Sequence, residues 1–104
     1  MYGYYYFSTD CISNAWDTKK IESFLLSRED FVNDGLGAFM HNSIFLSIQL
    51  MLVKDYNSWS SNDYNDNGTN YISIVTSYAV EPVAEQFFQD FEKFIGRHIV
   101  KEDE

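Results

Sequence analysis

Two runs of alternating side chains, residues 43–53 and 70–80, constrain the fold most. In the first, Ile44, Leu46, Ile48, Leu50 and Leu52 alternate with Phe45, Ser47, Gln49, Met51 and Val53. In the second, Ile72, Ile74, Thr76, Tyr78 and Val80 alternate with Tyr71, Ser73, Val75, Ser77 and Ala79. A period of two places each set on its own side of a pleated strand. In the first run one side is wholly apolar and the other mixed, the pattern of a sheet covered mainly on one face. Such a sheet needs a helical layer over its apolar side.

That layer is legible at 82–95. Pro82 suits a first helical turn. At 100° per residue, Val83, Ala84, Phe87, Phe88, Phe91, Phe94 and Ile95 fall within an arc of about 140°. Glu85, Gln89 and Glu92 lie opposite, and Gly96 suits the left-handed residue that closes a helix. Nearer the start, the Tyr-rich segment 2–8 predicts a strand, with Tyr2, Tyr4 and Tyr6 on one face and Tyr5 and Phe7 on the other. Asp17 is a helix N-cap, with Trp16 and Ile21 placed for a hydrophobic staple, and predicts a helix over 18–26. Ser27 and Asp30 repeat the capping pattern and predict a second short helix over 28–34, ended by Gly35. Leu36 to His41 adds a short strand. The expected order is β-α-α-β-β-α, an α+β fold with an antiparallel sheet of three or more strands covered on one face by helices. A length of 104 residues predicts a single domain, 1–104.

Between the two strands, Asp55 to Asn70 is rich in Asn, Asp and Ser. Asn67-Gly68 is a strong turn signal, so this segment is either a protruding hairpin or a long surface loop.

Charge narrows the partner. Seven Lys and Arg against sixteen Asp and Glu give 7 − 16 = −9, which repels a polyanion and excludes nucleic acid as the expected partner. The start of the chain lacks a basic segment followed by an apolar stretch, so no secretory signal is expected. The most apolar run, 44–53, is about half of a membrane-spanning length. Cys11 is alone, so no internal disulfide framework exists. The expectation is a cytoplasmic protein, away from the membrane.

Candidate chemistry is thin. Asp63, Asn65, Asn67 and Gly68 match positions 1, 3, 5 and 6 of a calcium-binding EF-hand loop, but Ile74 stands where the bidentate Glu belongs. An Asx-rich turn explains the same residues. Cys11, His41 and His98 have the residue types of a nucleophile–base pair or a zinc site, with spacing that matches neither. Glu81, Glu85 and Glu92 read as a solvated helix face rather than paired acid/base carboxylates. No catalytic residue, metal or cofactor is expected.

The aromatic excess is more informative. The eight Tyr cluster at the first strand and around the acidic 55–70 segment. Tyr and Trp bury large area at low entropic cost and are enriched at interface hot spots. Trp59, flanked by Asn57, Ser58, Ser60 and Ser61, either folds back onto the core or meets a partner. The expected partner-binding residues are Asp55, Tyr56, Trp59, Asp63, Tyr64, Asp66 and Tyr71, with Glu85 and Glu92 on the last helix. Carboxylates beside aromatic anchors suit a basic protein.

In these respects the chain resembles the small acidic bacterial immunity proteins of contact-dependent growth inhibition, and barstar-like inhibitors in general. The resemblance is one of type: about a hundred residues, acidic, α+β, rich in Tyr and Trp, without a catalytic motif. It implies a monomer that forms a 1:1 heterodimer with one cognate basic toxin, a nuclease or ribonuclease, and blocks its active site. A non-inhibitory adaptor or subunit, and a small enzyme with a site assembled from distant residues, are the alternatives.

Overall fold

In the computed structural model, which describes residues 2–102, the two alternating runs lie side by side at the centre of one sheet. The strands are β1 (Tyr2–Ser8), β2 (Phe31–Asn33), β3 (Ala38–His41), β4 (Leu46–Met51), β5 (Tyr71–Ser77) and β6 (Val100–Lys101). They pair antiparallel throughout, in the spatial order β2-β3-β4-β5-β1-β6. The helices are α1 (Thr18–Ser27) and α2 (Pro82–Ile95). In register, Ile48 opposes Ile74 and Leu50 opposes Ile72, so both apolar sets point the same way.

Both helices cover that side. Phe7, Leu46, Ile48, Leu50, Ile72 and Ile74 share one core with Ile21 and Leu25 of α1 and Phe87, Phe88 and Phe91 of α2. Each fully buried side chain of this size contributes about 1.5–3 kcal/mol relative to exposure. Aromatic rings lock the layers together: Phe7 meets Phe91 edge-on at 5.2 Å and Phe31 meets Phe87 at 4.7 Å between centroids. Two members of the apolar arc of α2, Val83 and Phe94, are exposed instead. Phe94 stacks on Phe24 of α1 at 4.3 Å.

The helix starts and stops follow the sequence. The Asp17 carboxylate accepts from the Lys19 amide at 3.0 Å, and Gly96 takes φ 81° at the end of α2.

The expected helix over 28–34 is corrected to strand β2. Ser27 does not cap a new helix; its hydroxyl donates to the Phe24 carbonyl and closes α1. Glu29 turns the chain with φ 69°. Phe31 then enters the core opposite His41, and ladder bonds to β3 outweigh a short, weakly capped helix. The order is therefore β-α-β-β-β-β-α-β, with six strands rather than the β-α-α-β-β-α of the sequence reading. β6, a two-residue strand on the edge of β1, has no alternating pattern in the sequence to announce it. The strand expected over 43–53 begins only at Leu46, because the amides of Ser43 and Ile44 both donate to His41 Nδ1.

The segment between β4 and β5 is a long connection with one short 3-10 turn (Ser61–Asp63), not a hairpin. Side chains sew it down. The Thr18 hydroxyl donates to the Asn65 carbonyl at 2.8 Å and meets the Thr69 hydroxyl at 2.7 Å, both threonines fully buried. Thr69 also pairs with Trp16 in an isolated antiparallel bridge. Gly68 serves close packing rather than a hairpin turn: a Cβ there would lie 3.2 Å from that of Ala15. Among the described residues, no helix is long and apolar enough to cross a membrane.

Candidate functional site

The sheet face away from the helices carries the other half of each alternation. Its rows follow from the register: Tyr4, Val75 and Ser47 lie side by side, as do Tyr6, Ser73 and Gln49, and then Ser8, Tyr71 and Met51. A second, smaller apolar cluster forms here, with Met51, Val53 and Tyr71 buried and Tyr6 and Tyr56 packed on them. The connection after β4 folds over this end of the face and supplies Tyr56 and Trp59. Both rings pack on Tyr71, at 5.9 and 5.5 Å between centroids, and Tyr6 stacks on it from β1 at 5.4 Å with 22° between planes. Tyr71 is thus the hub of an aromatic group drawn from two strands and the connection.

Hydrogen bonds fix the hub. The Tyr71 hydroxyl donates to Glu102 Oε1 at 3.0 Å, just past β6. Burial, and then the neighbouring Glu102 carboxylate, push the Tyr71 hydroxyl well above its ordinary pKa, so it stays a neutral donor. The Tyr56 hydroxyl donates to the Thr9 carbonyl at 3.0 Å, which anchors the connection to the end of β1.

The fold separates the expected partner-binding residues. Trp59 rests on Tyr71 and still keeps 40% of its surface exposed. Asp55 and Asp66 are exposed near it in sequence, and the Asp55 carboxylate accepts from the Asn57 amide at 2.9 Å. Tyr71 is buried and forms the foundation under Trp59, while Tyr56 is half-buried beside it. Asp63 caps the 3-10 turn by accepting from the Ser60 amide at 2.9 Å. Tyr64 turns toward α1, where its hydroxyl donates to Glu22 at 3.3 Å. Burial and the Glu22 charge raise the Tyr64 hydroxyl above its ordinary pKa.

Glu85 and Glu92 are not part of this surface, because α2 lies on the opposite side of the sheet. Glu85 is exposed, while Glu92 accepts from the Ile99 amide at 2.8 Å and so sets the turn into β6.

The remaining candidates have local partners. Asn65 Oδ1 accepts from the amides of Asn67 and Gly68 at 2.8 and 3.2 Å, an Asx turn built from the residues of the calcium-loop match. Cys11 is exposed beside Ser13, whose hydroxyl lowers the pKa of the thiol. His98 is exposed and lies 3.3 Å from Glu92. His41 is buried at the end of β3, its Nε2 3.5 Å from Asp30, which Arg28 also holds while bridging to Asp90 on α2. That cluster joins the turn after α1 to β3 and α2, and its Arg28 packs over the Phe87 ring at 5.1 Å. Among the described residues, no group of three or more His, Cys, Asp or Glu is placed to hold a metal ion.

Sequence reasoning missed two members of the aromatic surface. Tyr6 was placed on the right face, but its contact with Tyr71 depends on strand order. Glu102 reaches the site only through β6, which has no sequence pattern of its own. Comparison with protein-family models, with curated proteins and with solved structures finds no match to the chain.

Proposed function

We propose that the protein is a cytoplasmic immunity protein that binds one cognate basic toxin, a nuclease or ribonuclease, in a 1:1 complex and occludes its active site. One observation carries the reading: the sheet face without helices bears a Tyr/Trp group with Trp59 half-exposed on top and the Glu102 carboxylate against it, in a chain of net charge −9. A nuclease presents a cationic cleft to phosphates, and carboxylates can occupy the same subsites. Aromatic anchors then hold the complex while charge steers its formation.

Co-expression with candidate basic nuclease toxin domains tests the reading. The expected result is a 1:1 complex on gel filtration and loss of the toxin's nuclease activity in proportion to added protein. A complex that leaves the activity intact would replace the inhibitor with an adaptor, and no complex would remove both.

A further inference from the structure

Beside the aromatic group lies a cleft of about 500 Å³, bounded by β1, β6 and the start of the connection after β4. Its lining includes Tyr6, Ser8, Tyr56, Asn57, Tyr71 and Glu102. We infer that this cleft is an arginine subsite, in which the Tyr6 and Tyr56 rings and the Glu102 carboxylate receive the guanidinium of one side chain of the partner. The inference rests on the proposed binding of a basic protein and says which group of that protein anchors it.

The chemistry of the lining selects a planar cation. The partly exposed Tyr6 and Tyr56 rings supply electron-rich faces, and the buried Tyr71 ring on which both pack holds them in place. A guanidinium stacks on such faces and is attracted by their quadrupoles. Glu102 is exposed and held toward the cleft through the Tyr71 hydroxyl at 3.0 Å, so the carboxylate is already oriented before a ligand arrives. Asn57, also in the lining, adds a neutral polar side chain. Lys101 also borders the cleft, but its ammonium lies 5.4 Å from the centre of the Tyr78 ring, and Tyr78 is not part of the lining. The cleft therefore offers acceptors and ring faces, which suit arginine better than the strongly hydrated ammonium of lysine.

The test uses the full isotopically labelled chain and N-acetyl-L-arginine amide as probe, followed by amide NMR shifts at low salt. Saturable shifts at Tyr6, Asn57, Tyr71 and Glu102 are expected, with the lysine analogue binding at least threefold more weakly. Glu102→Gln should weaken the arginine probe at least fivefold. Tyr6→Leu, which keeps apolar bulk without the π face, should weaken it in a protein whose spectrum shows an intact fold. Shifts spread evenly over Asp55, Asp66 and Glu85, equal binding of the lysine analogue, or no effect of Glu102→Gln would each overturn the assignment. No toxin is present in this assay, so its failure leaves the inhibitor reading standing. Probe binding without a toxin complex would instead remove the toxin and keep an arginine-bearing partner.

Discussion

Both backbone polar groups of Val53 are held by one side chain, that of Asn70. The Val53 amide donates to Asn70 Oδ1 at 2.8 Å, and Asn70 Nδ2 donates to the Val53 carbonyl at 2.9 Å. The same Nδ2 reaches the Ile12 carbonyl at 3.0 Å. Asn70 is fully buried, and its amide acts as a stand-in for a peptide group where the β4–β5 ladder has ended. The connection that carries Tyr56 and Trp59 departs from this point.

Asn70→Ala should therefore destabilise the fold by about 2–4 kcal/mol, because the buried amide and carbonyl of Val53 and the partly buried carbonyl of Ile12 lose their partner together. Chemical denaturation checks this. A loss below about 1 kcal/mol would mean that water replaces the side chain at little cost.

Gly37 and Tyr64 make the second prediction. Gly37 has φ 69°, and a Cβ there would overlap the Tyr64 ring and lie 3.0 Å from the Leu50 carbonyl. Gly37→Ala should cost about 2–4 kcal/mol through backbone strain and overpacking together. The double variant with Tyr64→Ala should recover part of that loss. Simple additivity in a double-mutant cycle would contradict the contact.

Tyr71 predicts an alkaline limit. Its folded hydroxyl is raised, first by burial and then by Glu102, above the ordinary value near 10 at which an unfolded tyrosine ionises. The unfolded chain thus releases the proton first, and the stabilisation, complete below about pH 10, is lost as the pH rises toward the folded value. Unfolding free energy measured from pH 8.5 upward should fall more steeply for the wild type than for Tyr71→Phe. Parallel curves would show that the hydroxyl is solvated.

The sheet centre, both long helices and the caps at Asp17 and Gly96 were legible because each is a local pattern. A period of two, a period of 3.6 and a residue with one special backbone angle need no knowledge of distant chain. The error at 28–34 has the opposite origin. Ser27 and Asp30 form a valid capping pattern locally, but Phe31 has a deep core position available once β3 is in place, and tertiary burial overrides a weak helix. The candidate surface divides in the same way. Trp59 and its neighbouring carboxylates stood out as large rings in a polar segment. Tyr6 and Glu102 did not, since their approach to Tyr71 follows from β1 and β6 lying beside β5. Glu92 reads as solvent-facing charge in the sequence, and only the fold shows its carboxylate bound to the Ile99 amide.

Charge and aromatic contact should separate kinetically. Asp55 and Asp66 are exposed carboxylates without a place in the core, so neutralising both as Asn should slow association with the toxin domain and flatten its salt dependence. Dissociation should change little. Stopped-flow association at several ionic strengths checks this, and an unchanged on-rate would remove these residues from the encounter surface.

Trp59→Ala tests the binding face most directly, with unfolding free energy and toxin dissociation measured on the same protein. The ring lies on Tyr71 at 5.5 Å with 40% of its surface open, so its removal should cost no more than about 2 kcal/mol of stability. Binding should weaken by about 2–4 kcal/mol, chiefly through a faster off-rate, as for a central aromatic anchor. A folded Trp59→Ala protein that holds the toxin as tightly as the wild type would contradict the assignment and move the interface off this face of the sheet.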